Sequence, residues 1–186
     1  MLDAIYNKVG SKMISIIAIV LAVVAIINFS LYFALFLPTT GGTAYLELNF
    51  GYSPADLYQY AELYGEDGRI MYVAMSATLD MLIPLCAGAL IVTIAFYIEK
   101  KANQRRYLEL AFTAGCGACI SDWLENVSMI SLLTLYPTEN MAIAVAARAM
   151  TTAKYLFLIL GVIVIAVDAY DLYRFRHPTQ EDVDLY

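Results

Sequence analysis

The sequence has few charged residues and almost none of the side chains that most often carry out catalysis. Only 15% of its 186 residues are charged, and it contains one histidine and three cysteines. The histidine, His177, lies on a polar tail, so no Ser, His and Asp set for hydrolysis is expected. Without histidine or an available thiolate, a metal ion would depend on carboxylates alone. We therefore predict no catalytic residues, no metal site and no cofactor.

Basic residues are also scarce. Lysine and arginine number 11 against 17 aspartates and glutamates, which gives a formal net charge of −6. Nucleic-acid binding requires a basic surface that neutralises phosphates. This charge balance therefore excludes nucleic acid as an expected partner.

Long apolar runs are the main feature that is present. The sequence is 61% hydrophobic, well above the average for soluble domains. Its apolar runs are each long enough to cross a hydrocarbon core of roughly 30 Å. We predict one all-α, integral membrane domain over residues 1–186, a four-helix bundle surrounded by the lipid bilayer. The predicted transmembrane helices cover about 13–37, 70–98, 107–135 and 141–173.

Basic residues indicate the orientation of these helices, because cytoplasmic loops carry an excess of lysine and arginine. They flank the first helix, fill the loop after the second and follow the fourth: Lys8, Lys12, Lys100, Lys101, Arg105, Arg106, Arg174 and Arg176. Both termini are therefore expected in the cytoplasm. The acidic loop 38–68 is expected on the extracytoplasmic side.

This first extracytoplasmic loop contains a predicted short amphipathic helix. In "YSPADLYQYAELYG", Ser53 is suited to be the N-cap, Pro54 the first helical residue and Gly65 the stop, which predicts a helix over about 54–64. Its apolar residues recur with helical spacing, which is typical of a segment at the membrane interface. The tyrosines on this side are expected to form an interfacial belt: Tyr45, Tyr52, Tyr58, Tyr60, Tyr64, Tyr72 and Tyr136.

Charged residues interrupt three of the predicted membrane helices. They are Asp80 in the second, Asp122 and Glu125 with the adjacent Asn126 in the third, and Arg148 and Lys154 in the fourth. Each charge would cost roughly 2.5 to 3.5 kcal/mol at the centre of a lipid-facing helix, so the set is expected to face the bundle interior. We predict that Arg148 bridges Asp122 and either Asp80 or Glu125, with Lys154 beside the remaining carboxylate. One carboxyl would then be free to hold a proton.

This charged set suggests two classes of function. In the first, it binds or translocates a small polar or ionic ligand, a proton or a lipid headgroup, or uses Asp122 or Glu125 as a general acid or base. In the second, the protein is a structural or accessory subunit of a larger membrane complex, and its buried ion pairs only fix helix packing. Either class is compatible with a homo-oligomer, since four helices make a small bundle.

The segment "GCGACISDWLEN" offers a further alternative. Cys116 and Cys119 form a CxxC, which, with the predicted number of helices, resembles the disulfide-generating membrane enzymes of the DsbB and vitamin K epoxide reductase type. The resemblance implies a membrane thiol oxidoreductase. Such enzymes need a second, accessible cysteine pair, whereas Cys86 is the sole other cysteine here. The same segment continues a stripe of small residues, Ala111, Gly115 and Ala118, which predicts close helix packing.

Overall fold

The computed structural model describes residues 10–46, 51–102 and 106–177, apart from the side chain of Leu79. Within these residues the chain is all-helical and forms no strand. The first helix, α1, covers Ser11–Leu31 and is continued by a π-helical turn, Tyr32–Phe36, and a short segment, Leu37–Thr39. The remaining helices are α2 (Asp56–Ser76), α3 (Leu82–Ala102), α4 (Leu108–Leu135) and α5 (Met141–Arg176).

Three helical segments are long and apolar enough to cross a membrane: Ser11–Thr39, Leu82–Ala102 and Met141–Arg176. Helix α4 is comparably long, because its 28 residues span about 42 Å, but the polar "SDWLEN" sequence lowers its hydropathy. This helix packs against both α3 and α5. Its polar residues are therefore placed between other helices instead of on an outer surface.

The structure divides the predicted helix 70–98 into two parts. Helix α2 ends at Ser76, a 3₁₀ turn covers Leu79–Met81, and α3 begins at Leu82. Pro84 explains the break, because it has no N–H to donate and its ring would clash with the carbonyl of Asp80 in a continuous helix. In the first turn of a new helix, proline is tolerated.

The structure also differs from the predicted helix boundaries around Gly65. The predicted helix 54–64 does not end there; α2 begins at Asp56 and continues to Ser76, with Gly65 as a non-helical kink (φ 65°, ψ −178°). Before the helix, the backbone N–H of Ser53 donates to the Asp56 carboxylate at 2.7 Å, in place of the predicted Ser53 side-chain cap. At the kink, Arg69 donates to the carbonyl of Ala61 at 2.9 Å.

The tyrosines of the loop and α2 form a buried cluster, not the interfacial belt that their positions predicted. Tyr52, Tyr58, Tyr64 and Tyr72 are all buried. We call Phe36, Tyr45, Tyr64 and Tyr72, whose rings contact one another, the aromatic cap. The ring of Tyr45 lies 4.2 Å from that of Phe36 and 4.7 Å from that of Tyr72. Phe36 ends the π-helical turn that continues α1, and Tyr72 lies on α2, so this cap joins the loop to both helices.

Helices α3, α4 and α5 approach one another at glycines. A Cβ at Gly88 would lie 2.5 Å from the Gly115 carbonyl oxygen, so α3 and α4 are in backbone contact there. A Cβ at Gly117 would lie 2.6 Å from the ring of Phe157 on α5. The small residues predicted to form a packing stripe are accordingly buried, with Ala111 at 0% and Ala118 at 4% exposure.

Two carboxylates are buried at the end of the bundle opposite the aromatic cap. Glu99 accepts a hydrogen bond from the backbone N–H of Tyr107 at 2.6 Å, which fixes the connection from α3 to α4. Asp168 is also buried, close enough to Glu99 for an electrostatic interaction. A half-buried neighbour of this pair is Asp171, whose carboxylate lies 3.5 Å from Arg106.

Candidate functional site

The ion pairs between α4 and α5 converge on one lysine. The Lys154 ammonium lies 2.5 Å from an oxygen of Glu125 and 3.1 Å from an oxygen of Asp122. The hydroxyl of Thr151 donates to the other oxygen of Glu125 at 2.6 Å. We call these four residues, Asp122, Glu125, Thr151 and Lys154, the Lys154 group.

Helical spacing places the members of the group together. Asp122 and Glu125 are three residues apart on α4, and Thr151 and Lys154 are three apart on α5, so each pair lies on one helix face. The close packing of α4 on α5 turns these faces toward each other. Two pairs of polar residues, each pair three positions apart on its own helix, therefore form one site across the interface between α4 and α5.

A residue of the loop extends the site. The Tyr52 hydroxyl lies 2.5 Å from the Thr151 hydroxyl, across 99 positions of sequence. When Tyr52 donates to Thr151, Thr151 can donate to Glu125, and Glu125 in turn contacts Lys154. The result is a continuous chain of polar contacts from the loop to the interior.

The charged residues in this series of polar contacts are buried, so they have lost most of their hydration. Glu125 and Thr151 are completely buried, and the side chain of Lys154 is 9% exposed. Charges removed from water need both an opposite charge and hydrogen bonds to offset the lost hydration. Lys154 supplies the opposite charge, and Thr151 supplies a hydrogen bond to Glu125.

Asn126 lies beside this group with unsatisfied polar atoms. The residue is completely buried, and neither its amide nitrogen nor its amide oxygen has a hydrogen-bond partner among the residues that the structure describes. An unpaired buried amide is costly, so such atoms are often satisfied by a bound water or ligand. Asn126 was predicted as a site residue, and that role stays a prediction.

Arg148 contacts the loop and its own helix, and its predicted pairing with Asp122 stays a prediction. Its guanidinium lies 4.9 Å from the centre of the Tyr52 ring and donates to the Thr152 hydroxyl at 3.0 Å. The cation seen between Asp122 and Glu125 is that of Lys154. Arg148 is thus held beside the loop end of the chain, one turn before Thr152.

Asp80 lies in a different environment from the other predicted site residues. It lines a cavity between α1, α2 and the start of α3, together with Asn28 and Ser76. None of the residues that line this cavity belongs to the Lys154 group. The break before α3 explains the difference, because Asp80 lies in a 3₁₀ turn and not within the continuous helix 70–98 that was predicted.

Two of the three cysteines line a separate apolar cavity between α3 and α4. Cys86, Cys116 and Cys119 are free thiols, and Cys119 is buried. The cavity has a volume of about 380 Å³, and its lining includes Cys116, Cys119 and Trp123. Trp123 also donates to the Met81 carbonyl at 3.0 Å, across the break before α3. The oxidoreductase hypothesis remains a prediction from the CxxC sequence.

Sequence reasoning selected the charged members of the Lys154 group but did not select Thr151 or the adjoining Tyr52. The spacing of Thr151 and Lys154 on one helix face was a usable signal for Thr151. For Tyr52 no local signal existed, because its contact depends on how the loop folds over the bundle. Comparison with protein-family models, curated proteins and solved structures finds no match for this chain.

Proposed function

We propose that this is an integral membrane protein in which α1, α3, α4 and α5 cross the bilayer, with both termini in the cytoplasm. The three apolar helices support this arrangement, and α4 fits between two of them with its charged residues turned inward. The basic residues around α3 and at the end of α5 support the orientation. The aromatic cap then lies on the extracytoplasmic side.

Within this arrangement, the Lys154 group binds an exchangeable proton and takes part in its transfer across the bilayer. The observation that carries the proposal is the chain of contacts from Tyr52 through Thr151 to Glu125, with distances of 2.5 and 2.6 Å. A proton that enters at the Tyr52 oxygen displaces the Tyr52 proton to Thr151, and the Thr151 proton passes to Glu125. Each hydroxyl ends with the same number of protons, and the carboxylate gains one.

A proton suits the geometry better than a larger ligand does. The side chains of the Lys154 group contact one another directly, so a small molecule or a lipid headgroup would have to displace these contacts. A proton needs no such displacement. Its arrival would neutralise Glu125 and free Lys154 to pair with Asp122 alone.

Proton movement in liposomes tests the proposal. Full-length protein would be reconstituted into vesicles that contain a pH-sensitive dye, and internal acidification would be followed after an external pH drop. We expect faster acidification than in empty vesicles, and we expect Thr151→Val to slow the protein-dependent rate at least tenfold, because valine cannot relay a proton. Glu125→Gln should have the same effect.

The neighbouring residue offers a matched control. Thr152 lies beside Thr151, but its hydroxyl accepts a hydrogen bond from the Arg148 guanidinium and donates one to the Arg148 carbonyl. Thr152→Val should therefore leave the rate within about twofold of the wild-type value, a change of less than about 0.5 kcal/mol in the barrier. Equal rates for wild type, Thr151→Val and Glu125→Gln would contradict the relay.

A structural role is the second candidate, because the same contacts fasten α4 to α5. Buried ion pairs can specify helix packing without taking part in chemistry. The triple variant Asp122→Asn, Glu125→Gln and Lys154→Met removes all the charges of the group while keeping side-chain volume. A structural protein would keep its assembly state in this variant and would show no protein-dependent proton flux in either form, whereas a relay would show flux in the wild type and lose it in the variant.

A further inference from the structure

A groove between α2 and the end of α4 combines two charged side chains with an apolar wall. Its volume is about 500 Å³, within the range of roughly 300 to 1,000 Å³ that is usual for small-molecule sites. Glu66 and Arg69 of α2 line it, together with Tyr136 at the end of α4. Much of the remaining wall is apolar and includes Ile70 and Val73. We call this the α2–α4 groove.

Arg69 is held in a fixed position in this groove without being neutralised by an acid. One of its N–H groups donates to the Ala61 carbonyl at 2.9 Å, and its guanidinium lies 4.3 Å from the centre of the Tyr136 ring. Neither Arg69 nor Glu66 forms an ion pair with any residue in the described part of the chain. A guanidinium has five N–H donors, so the bond to Ala61 leaves others that can bind an anion.

The two charges of the groove have opposite signs and lie side by side. Glu66 and Arg69 are three residues apart on α2, which makes them neighbours on the helix surface. A guanidinium binds a phosphate group through two parallel N–H···O bonds, and a carboxylate accepts hydrogen bonds from an ammonium group. A ligand that carries a phosphate and a nearby ammonium group therefore matches this pair of side chains.

The apolar part of the wall indicates that such a ligand is a lipid. Ile70 follows Arg69 in the sequence and is 61% exposed, and Val73 lies about one turn further along α2. In the proposed membrane arrangement, the end of α4 lies at the extracytoplasmic boundary of the bilayer. A water-soluble zwitterion would leave the apolar wall uncovered, whereas the acyl chain of a phospholipid covers it.

The size of the groove agrees with this class of ligand. One water molecule occupies roughly 30 Å³ of liquid, so the groove has space for about 17 groups of that size. This space suffices for a phospholipid headgroup and the adjoining part of one acyl chain. The rest of the lipid would extend into the bilayer.

We propose that the α2–α4 groove binds a zwitterionic phospholipid with a primary ammonium group, of the phosphatidylethanolamine class. Arg69 binds the phosphate, Glu66 accepts hydrogen bonds from the ammonium group, and Ile70 and Val73 contact an acyl chain. Phosphatidylcholine has no N–H on its ammonium group and phosphatidylglycerol has no ammonium group, so both match the groove less well. The proposal rests on the proposed membrane position of α4 but not on the proton relay, because no member of the Lys154 group lines the groove.

Binding of a fluorescent phosphatidylethanolamine to full-length protein in detergent micelles tests the proposal, with fluorescence anisotropy as the readout. We expect saturable binding of one lipid per chain. Unlabelled phosphatidylethanolamine should displace the probe at concentrations about tenfold lower than phosphatidylcholine or phosphatidylglycerol requires. The measurement needs neither a bilayer nor a pH gradient, so its failure is distinguishable from a failure of the proposed topology or relay.

Two variants separate the roles of the charged side chains. Arg69→Gln removes the guanidinium, so it should weaken binding of all three lipids at least about tenfold. Glu66→Gln keeps the side-chain volume at an exposed position and removes the charge. It should abolish the preference for phosphatidylethanolamine over phosphatidylglycerol and leave the affinity for phosphatidylglycerol within about threefold of the wild-type value.

Asp67→Asn is the matched control, because Asp67 is an exposed carboxylate next to Glu66 that does not line the groove. It should bind the three lipids as the wild type does. Absence of saturable binding to wild-type protein would overturn the proposal, and so would equal displacement of the probe by the three lipids. A folded Glu66→Gln variant that keeps the wild-type preference would also overturn it.

Discussion

At the scale of single residues, the contacts of Lys154 decide how the buried carboxylates are tolerated. Its ammonium contacts Asp122 and Glu125 together, and both carboxylates belong to the same helix. Loss of the lysine would leave acidic groups on α4 without this partner. The effect on stability should therefore exceed that of losing an exposed lysine, which typically changes stability by less than about 1 kcal/mol.

Lys154→Met tests this difference. Methionine fills a similar volume but carries no charge, so we expect the free energy of unfolding to fall by about 3 to 5 kcal/mol, as for other broken buried pairs. Denaturant unfolding in detergent micelles would measure it. Lys101→Met is the control, because Lys101 is exposed and lies over the Tyr97 ring at 4.7 Å. If the free energy of unfolding fell equally in the two variants, the Lys154 contacts would stabilise the protein no more than an exposed lysine does.

At the scale of elements, glycines allow close helix packing and a kink in the backbone. Gly88 and Gly115 let α3 and α4 touch, and Gly65 supplies a left-handed φ inside α2. At Gly88 and Gly115 a side chain would lack space, whereas at Gly65 a side chain would disfavour the backbone conformation. Substitutions at these positions should therefore destabilise the protein for separate reasons.

The contact between α3 and α4 is tested by Gly115→Val. The added side chain would meet the Gly88 carbonyl oxygen, which is 2.7 Å from the position of a Cβ at Gly115. Overpacking of this kind costs typically about 1 to 3 kcal/mol. Thermal unfolding should show the loss, and Gly10→Ala should not, because nothing lies within 4 Å of a Cβ there. Equal stability of Gly115→Val and wild type would show that the helices do not touch.

The kink in α2 is tested by Gly65→Ala. Residues other than glycine rarely adopt a φ of 65° with a ψ of −178°, and the strain amounts to about 1 to 3 kcal/mol. We expect a loss of stability in that range in denaturant titrations. Glu66→Ala, at an exposed adjacent position, should change stability by less than about 0.5 kcal/mol. A more stable Gly65→Ala variant would indicate a continuous helix instead of a kink.

The element boundaries show what local sequence can and cannot predict. Apolar length was sufficient to predict an all-helical chain with apolar helices able to span a membrane. It did not reveal the break before Pro84, because apolar residues continue on both sides of it. A proline is compatible with a kink or with a new helix start, and the packing of α2 against the bundle decides between them.

At the scale of the whole molecule, the site depends on contacts that no sequence window contains. The charged residues could be selected because each is costly in an apolar helix, and Asp122, Glu125 and Lys154 do meet. The same criterion could not identify Tyr52 as part of the site, and it could not show that Asp80 lies in a separate cavity. Both depend on how the loop and α2 pack over the ends of α1 and α5.

The proposed orientation of the molecule is tested by labelling of introduced cysteines. After replacement of Cys86, Cys116 and Cys119, Thr138→Cys should react with a membrane-impermeant maleimide in intact cells. Arg106→Cys should react only after permeabilisation, because it lies on the proposed cytoplasmic side. Ile159→Cys, exposed on the apolar surface of α5, should resist the reagent in both cases. The reverse labelling of Thr138 and Arg106 would contradict the proposed topology.

Infrared difference spectroscopy on nanodisc-embedded protein tests the proton-binding role of the Lys154 group most directly. Acidification should produce a carbonyl-stretch band of a protonated carboxylic acid that is absent from Glu125→Gln and present in Glu139→Gln, since Glu139 is an exposed acid. The account predicts that this band appears and disappears reversibly with pH. A spectrum that Glu125→Gln leaves unchanged would contradict it.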